Sequence, residues 1–195
     1  MEKQSEDAHQ KVAFREIFAD GASRLTFKEL YRNVYNLALH RHGGELYDSV
    51  LEEFMEQVES IVHVVSAVSE DHVLEALTQQ WTSYQQALSM VRDVVAYMDR
   101  TYVKKSKGTK PGTYEAGVQL FRDTVVYDPS ISERAQRLFA QYVDDQQGKH
   151  VDNEKLRAFS QVLVGHDVQH DKGYDACLAF TAPSLEDTQD THQQT

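Results

Sequence analysis

The sequence predicts an all-α protein: an elongated helical bundle of about five main helices with short extra ones. Three observations carry that expectation. Apolar residues recur at i, i+3, i+4 spacing along most of the chain, and convincing period-two alternation is scarce. Only 3 prolines and 9 glycines interrupt 195 residues, which leaves room for long helices.

In chain order, residues 6–19 carry a stripe of Val12, Ala13, Phe14, Ile17 and Phe18, ended by Asp20 and Gly21. A second helix opens at Thr26, whose hydroxyl suits an N-cap, with Glu29 placed to complete a capping box. Phe27, Leu30, Val34, Leu37 and Ala38 follow one face, Tyr31 and Tyr35 lie beside it, and Gly43-Gly44 is expected to stop it. Residues 45–68 carry Leu46, Val50, Leu51, Phe54, Val58, Ile61, Val62 and Val65. The valine-rich stretch 61–68 keeps the helical spacing and is read as helix. Ser69, with Glu70, Asp71 and His72 behind it, reads as another cap. The helix it opens meets no Gly or Pro before about residue 104, and Leu74, Leu77, Trp81, Tyr84, Leu88, Val91, Val95 and Met98 line it.

Residues 104–112, KKSKGTKPG, are a basic loop. A helix over 113–127 follows, broken at Asp128-Pro129, then helices near 130–147 and 152–164 and a turn at 165–173. The expected domain covers residues 1–183. Residues 184–195 have no apolar period and read as a polar, disordered tail.

A formal charge of −11 argues against nucleic-acid binding, which needs clustered Lys and Arg. The single Cys177 cannot form an intrachain disulfide. With a polar N-terminus and no apolar run long enough to span a bilayer, the expectation is a soluble protein of the cytoplasm or nucleus.

Chemistry is hard to find. There is no phosphate-binding glycine loop, nucleophile elbow or HExxH motif, nor the two Glu-x-x-His motifs on facing helices that a di-metal bundle uses. Glu59 and His63 stand one turn apart in an apolar run, without a second pair. His40 and His42, flanking Arg41, read as capping or packing residues at the end of the second helix. His166 and His170, with Asp167 and Asp171, read as a solvated turn. No catalytic residue, metal or cofactor is expected.

The 10 tyrosines and 1 tryptophan say more, because Tyr and Trp dominate interface hot spots. Tyr84, Tyr97, Tyr127 and Tyr142 are expected at core edges. Tyr31 and Tyr35 are i, i+4 neighbours on a flank that the core does not need, and are candidate interface anchors.

Four ordered stretches then resemble the N-terminal adaptor-binding repeat of the cullins. They are Leu25 to Leu37 with Leu39-His40-Arg41-His42-Gly43; Trp81, then Met90 to Asp93 and Tyr97 to Val103; Gly117 to Asp123; and Phe180-Thr181-Ala182-Pro183. Within the family the wording is closest to the cullin-3 branch. The resemblance implies a cullin-repeat helical bundle and a non-catalytic scaffold role in RING-type ubiquitin ligases. It further implies docking of a BTB-domain (or Skp-type) substrate adaptor through the second and fifth helices, with a RING subunit joining only where the chain is part of a longer cullin. Carried over residue by residue, the adaptor face comprises Leu25, Phe27, Lys28, Tyr31 and Tyr35, with Tyr114 at the start of the fifth helix.

Three departures go with it. Lys28 stands where the cullin-3 pattern has glutamate. The chain opens almost at its first helix, without that branch's N-terminal extension. A polar tail replaces the start of a second repeat, with no cullin homology domain and no NEDD8-acceptor lysine. A truncated decoy that occupies adaptors, or a purely structural helical protein, are the alternatives.

Overall fold

The computed structural model describes residues 27–40 and 42–145, with the side chains of residues 27, 29 and 139–145 left outside the description. Five α-helices make up this region: α1, Phe27–Leu39; α2, Gly43–Ala67; α3, Val73–Met98; α4, Thr113–Phe121; and α5, Pro129–Asp145. Among the described residues there is no strand. The second and fifth helices read from the sequence are therefore α1 and α4. The expected helices over 6–19 and 152–164, and the tail, lie outside the described residues.

α2 and α3 are the long pair at the centre, and each packs against all three of the other helices. Their apolar stripes meet as the spacing requires: Leu46, Val50, Phe54, Val58 and Val65 from α2 are buried, as are Leu77, Trp81, Tyr84, Leu88, Val91, Val95 and Met98 from α3. The valine-rich end of α2 is helical to Ala67. Burying each large side chain of this kind is worth about 1.5–3 kcal/mol.

An aromatic cluster locks α4 onto the pair. The Phe121 centroid lies 4.9 Å from Trp81 and 5.3 Å from Tyr84, and Phe54 meets Tyr84 at 6.4 Å, edge to face. The buried Tyr84 hydroxyl donates to the Gly117 carbonyl at 3.2 Å, and burial raises its pKa above the usual phenol value. Gly117 permits this approach: a Cβ there would collide with the Leu88 methyls and stand 3.1 Å from Phe54 Cε2.

Gly43 and Gly44 do not terminate α1, as their position suggested. They are the first two residues of α2. The ring of Tyr102 lies against them, so a Cβ on Gly43 would fall 2.9 Å from Tyr102 Cβ. The glycines serve close packing between helices. His42 consequently precedes α2 rather than closing α1, and its Nδ1 lies 3.2 Å from Glu45 Oε2.

Ser69 also departs from expectation, since its side chain makes no cap hydrogen bond and the chain takes a 3-10 turn, Glu70–His72, before α3. The end of α2 is satisfied from elsewhere: Arg134 of α5 donates to the carbonyls of Ser66, at 3.3 Å, and Val68.

Both α3 and α4 finish in π turns, Asp99–Val103 and Arg122–Val126. A π turn holds an extra residue and shifts the register that follows. Val125 and Val126 are thereby buried while Tyr127, expected at a core edge, is 52% exposed.

Gly117→Ala is expected to destabilise the protein by about 1–3 kcal/mol, the usual cost of overpacking a filled core. Urea denaturation reads it, and a variant as stable as the parent would show that α4 shifts freely on α3.

Candidate partner-docking face

α1 presents its stripe unevenly. Leu30 and Val34 are buried, Tyr31 and Tyr35 are half-buried, and Lys28, Arg32, Asn33 and Asn36 are exposed. The helical spacing places the two tyrosines one turn apart on the flank, and their rings stack with centroids 6.3 Å apart at 23°. Tyr35 continues the row into α3, where the Tyr97 centroid lies 4.5 Å away at 51°. The result is a ladder of three partly exposed rings across two helices.

Tyr114, in the first turn of α4, is half-buried against the core and meets α3 at other residues than the ladder does. Its hydroxyl accepts a hydrogen bond from Gln85 Nε2 at 3.2 Å, and the Arg92 guanidinium stands 5.6 Å from its ring centroid. Arg92 in turn donates through Nε and Nη2 to Asp93 Oδ1 at 3.1 and 3.0 Å. α1 and α4 make no extensive contact with each other. The structure thus brings Tyr31 and Tyr35 together but sets Tyr114 apart, with the exposed pair Arg92 and Asp93 on the helix between them. Of the other candidates, Lys28 is exposed, Phe27 lies in α1 with its side chain outside the described residues, and Leu25 is outside them altogether.

Tyr97, Arg92 and Gln85 escaped the sequence reading. Tyr97 is half-buried, as a core-edge position should be, one turn after the buried Val94, but its contact with the Tyr35 ring depends on where α1 packs. Arg92 and Gln85 look like ordinary solvated positions until α4 is placed beside them.

The start of α4 is held by Asp99. Its Oδ1 accepts from the Thr113 hydroxyl at 2.5 Å, and both carboxylate oxygens stand 3.3 Å from the Thr113 amide nitrogen. Glu115 Oε2 accepts from the Gly112 amide at 3.2 Å, so two orphan donors of the helix N-terminus are satisfied. Burial raises the Asp99 pKa above its ordinary 3.8, Thr113's hydrogen bonds oppose the rise, and the charge of Glu115 adds to it.

Chemically the face offers rings, amides and one ion pair. Among the described residues no group of three His, Cys, Asp or Glu could hold a metal, and no helix is long and apolar enough to cross a membrane. Glu59 and His63, read as part of an apolar run, are both exposed.

Comparison with known proteins places these helices. The family description "Cullin alpha solenoid domain" matches residues 8–194. Cullin-3B of Arabidopsis thaliana is 39% identical over 122 residues, 63% of this chain and 16% of that protein. Cullin-3 of Dictyostelium discoideum is 31% identical over 155 residues, 79% of this chain and 20% of its own length. Cullin-3 of Caenorhabditis elegans is 25% identical over 185 residues, 94% of this chain and 23% of its own. The chain therefore spans less than a quarter of the length of these relatives.

The capping carboxylate has a pH signature. Because its pKa is raised on folding, Asp99's contribution to stability is greatest below 3.8 and declines as pH rises through the higher folded value. Asp99→Asn keeps an oxygen acceptor for Thr113 without the charge. It is expected to flatten that part of the stability profile and to stay within about 1 kcal/mol of the parent at neutral pH. Asp99→Ala strands the Thr113 donors and is expected to cost about 1–2 kcal/mol. Urea melts at stepped pH distinguish them, and equal losses in the two variants would refute the capping role.

Proposed function

Since the chain belongs to the cullin family, we propose that it is an adaptor-docking module of a ubiquitin-ligase scaffold, binding the BTB domain of a substrate adaptor through α1 and the start of α4. The reading rests on the cullin-3 relatives and on one structural observation, the Tyr31–Tyr35–Tyr97 ladder left partly exposed on α1 and α3. Core packing does not need these rings at the surface. An aromatic ring held at low conformational-entropy cost and seated in a partner's groove is the usual form of an interface anchor.

In this role the module transfers no ubiquitin. It holds an adaptor, in the cytoplasm or the nucleus, and a RING subunit joins only where the chain is part of a longer cullin. Tyr97 packs against the Tyr35 ring, with centroids 4.5 Å apart, which helps order the anchor before the partner arrives. Lys28 puts a positive charge on the exposed face of α1. Charge at an interface rim governs which partner is accepted more than how tightly, so Lys28 is the selectivity position.

The test titrates the full chain against a panel of BTB domains, with Skp-type adaptors as comparators. Binding at micromolar Kd or tighter is expected for at least one BTB domain. Tyr31→Ala and Tyr35→Ala should each cost about 2 kcal/mol, roughly thirtyfold in affinity. Lys28→Glu should reorder the panel while leaving the tightest Kd of similar size. A folded, helical chain that binds neither class of adaptor would sink the reading.

A further inference from the structure

The basic loop between α3 and α4 takes no part in the docking face described above, yet its charge is exceptional for this chain. Residues 100–114 contain Arg100, Lys104, Lys105, Lys107 and Lys110 and no carboxylate. The stretch carries +5, which leaves −16 on the remaining residues out of the total of −11.

A lysine run is ordinarily a solvated face. This one is built into a fixed shape. Lys104–Ser106 forms a 3-10 turn, and Lys107 and Gly108 follow with φ of 53° and 87°. Ser106 organises the turn: its hydroxyl donates to the Val103 carbonyl at 2.6 Å and stands 3.3 Å from the Lys110 amide nitrogen, and its carbonyl accepts from the Thr109 amide at 3.1 Å.

The far end is clamped to α2. Lys110 Nζ lies 4.6 Å from the Tyr47 ring centroid and 5.6 Å from that of Tyr102, and 3.4 Å from Asp48 Oδ1. Tyr47's hydroxyl donates to the Pro111 carbonyl at 3.0 Å. Lys110 is thus spent on the loop's own anchoring. Lys104, Lys105 and Lys107 are exposed, and none of the three joins an ion pair among the described residues. Three cations are held in a pre-formed turn that begins shortly after Tyr97 and ends just before Tyr114.

We propose that this loop is a cationic clamp at the edge of the docking face, taking an acidic segment of the protein that seats on the tyrosine ladder; the identity of that protein rests on the adaptor reading above. Charge complementarity selects the ligand. Three lysines within four residues match a short run of Asp or Glu. A nucleic acid, longer and charged throughout, would run out over the acidic remainder of the surface. The clamp acts at the rim, so its effect falls on encounter rate and salt dependence, whereas the buried rings govern dissociation.

The experiment uses the full chain with two probes: the tightest-binding BTB domain of the panel and a short oligoglutamate peptide. The Lys104→Glu/Lys105→Glu/Lys107→Glu variant should slow association with the BTB domain about tenfold at low ionic strength. It should also flatten the salt dependence between about 50 and 300 mM. Tyr31→Ala/Tyr35→Ala should instead raise the dissociation rate and keep the salt slope. In NMR titrations the oligoglutamate should shift the amides of residues 104–110 saturably in the parent and not in the triple variant. An unchanged association rate and salt slope in the triple variant overturns the clamp. So does an oligothymidylate of equal charge that occupies the loop more tightly than the peptide. If no BTB domain binds, the adaptor reading fails by itself, and the peptide decides the clamp: saturable shifts uphold an acidic-ligand site, and their absence overturns it.

Discussion

Between Tyr97 and Tyr102, where α3 runs into its π turn, side chains reach three other helices of the bundle. Tyr97 meets Tyr35 of α1, Asp99 caps the first turn of α4 through Thr113, and Tyr102 lies on Gly43 and Gly44 at the start of α2. In a regular α-helix, residues three apart lie close together on the surface. The π turn Asp99–Val103 spreads Asp99 and Tyr102 around the axis, so one can serve α4 and the other α2. The aromatic core already holds α4 on α2 and α3; the junction adds the contacts that set the Tyr35 ring and the first turn of α4.

The core itself is less particular. Trp81, Tyr84, Phe54 and Phe121 fill the space between α2, α3 and α4, and apart from the Tyr84 hydrogen bond to Gly117 their constraint is proximity rather than direction. Gly117 is the exception, since it sets how closely α4 can lie on α3. Among the described residues the buried Trp81 Nε1 has no hydrogen-bond partner, so the indole acts there as a volume element. Polar groups acquire a direction further out, where Asp99, Arg92, Gln85 and Arg134 each tie one helix to another or to a helix end.

Charge is sorted as well. The cations of residues 100–110 gather at the end of α3, a few residues after Tyr97, in a chain whose balance elsewhere is strongly acidic. In the proposed docking, rings would act by burial and lysines at a distance, and the two obey different physics. On that proposal one surface would combine a desolvated anchor with a long-range electrostatic term.

The sequence by itself determined the helical class, most of the buried stripe, and the spans of α1 to α5 to within a few residues once the π turns that close α3 and α4 are counted with them. Those depend on local spacing and on where Pro and Gly fall. It also singled out Tyr31 and Tyr35, because two rings one turn apart and off the apolar stripe are visible in one helix alone, and its ordered motifs pointed to the cullin family that residues 8–194 match. Only the tertiary structure decided that Gly43 and Gly44 open α2 instead of closing α1, that Tyr97 completes the ladder, that Asp99 holds α4, and that Tyr127 turns outward. Each of these depends on a neighbour distant in sequence or on the register shift of a π turn. Helical periodicity reports which side of one helix is apolar. It carries no information about which other helix will lie against that side, and the docking face is made of such pairings.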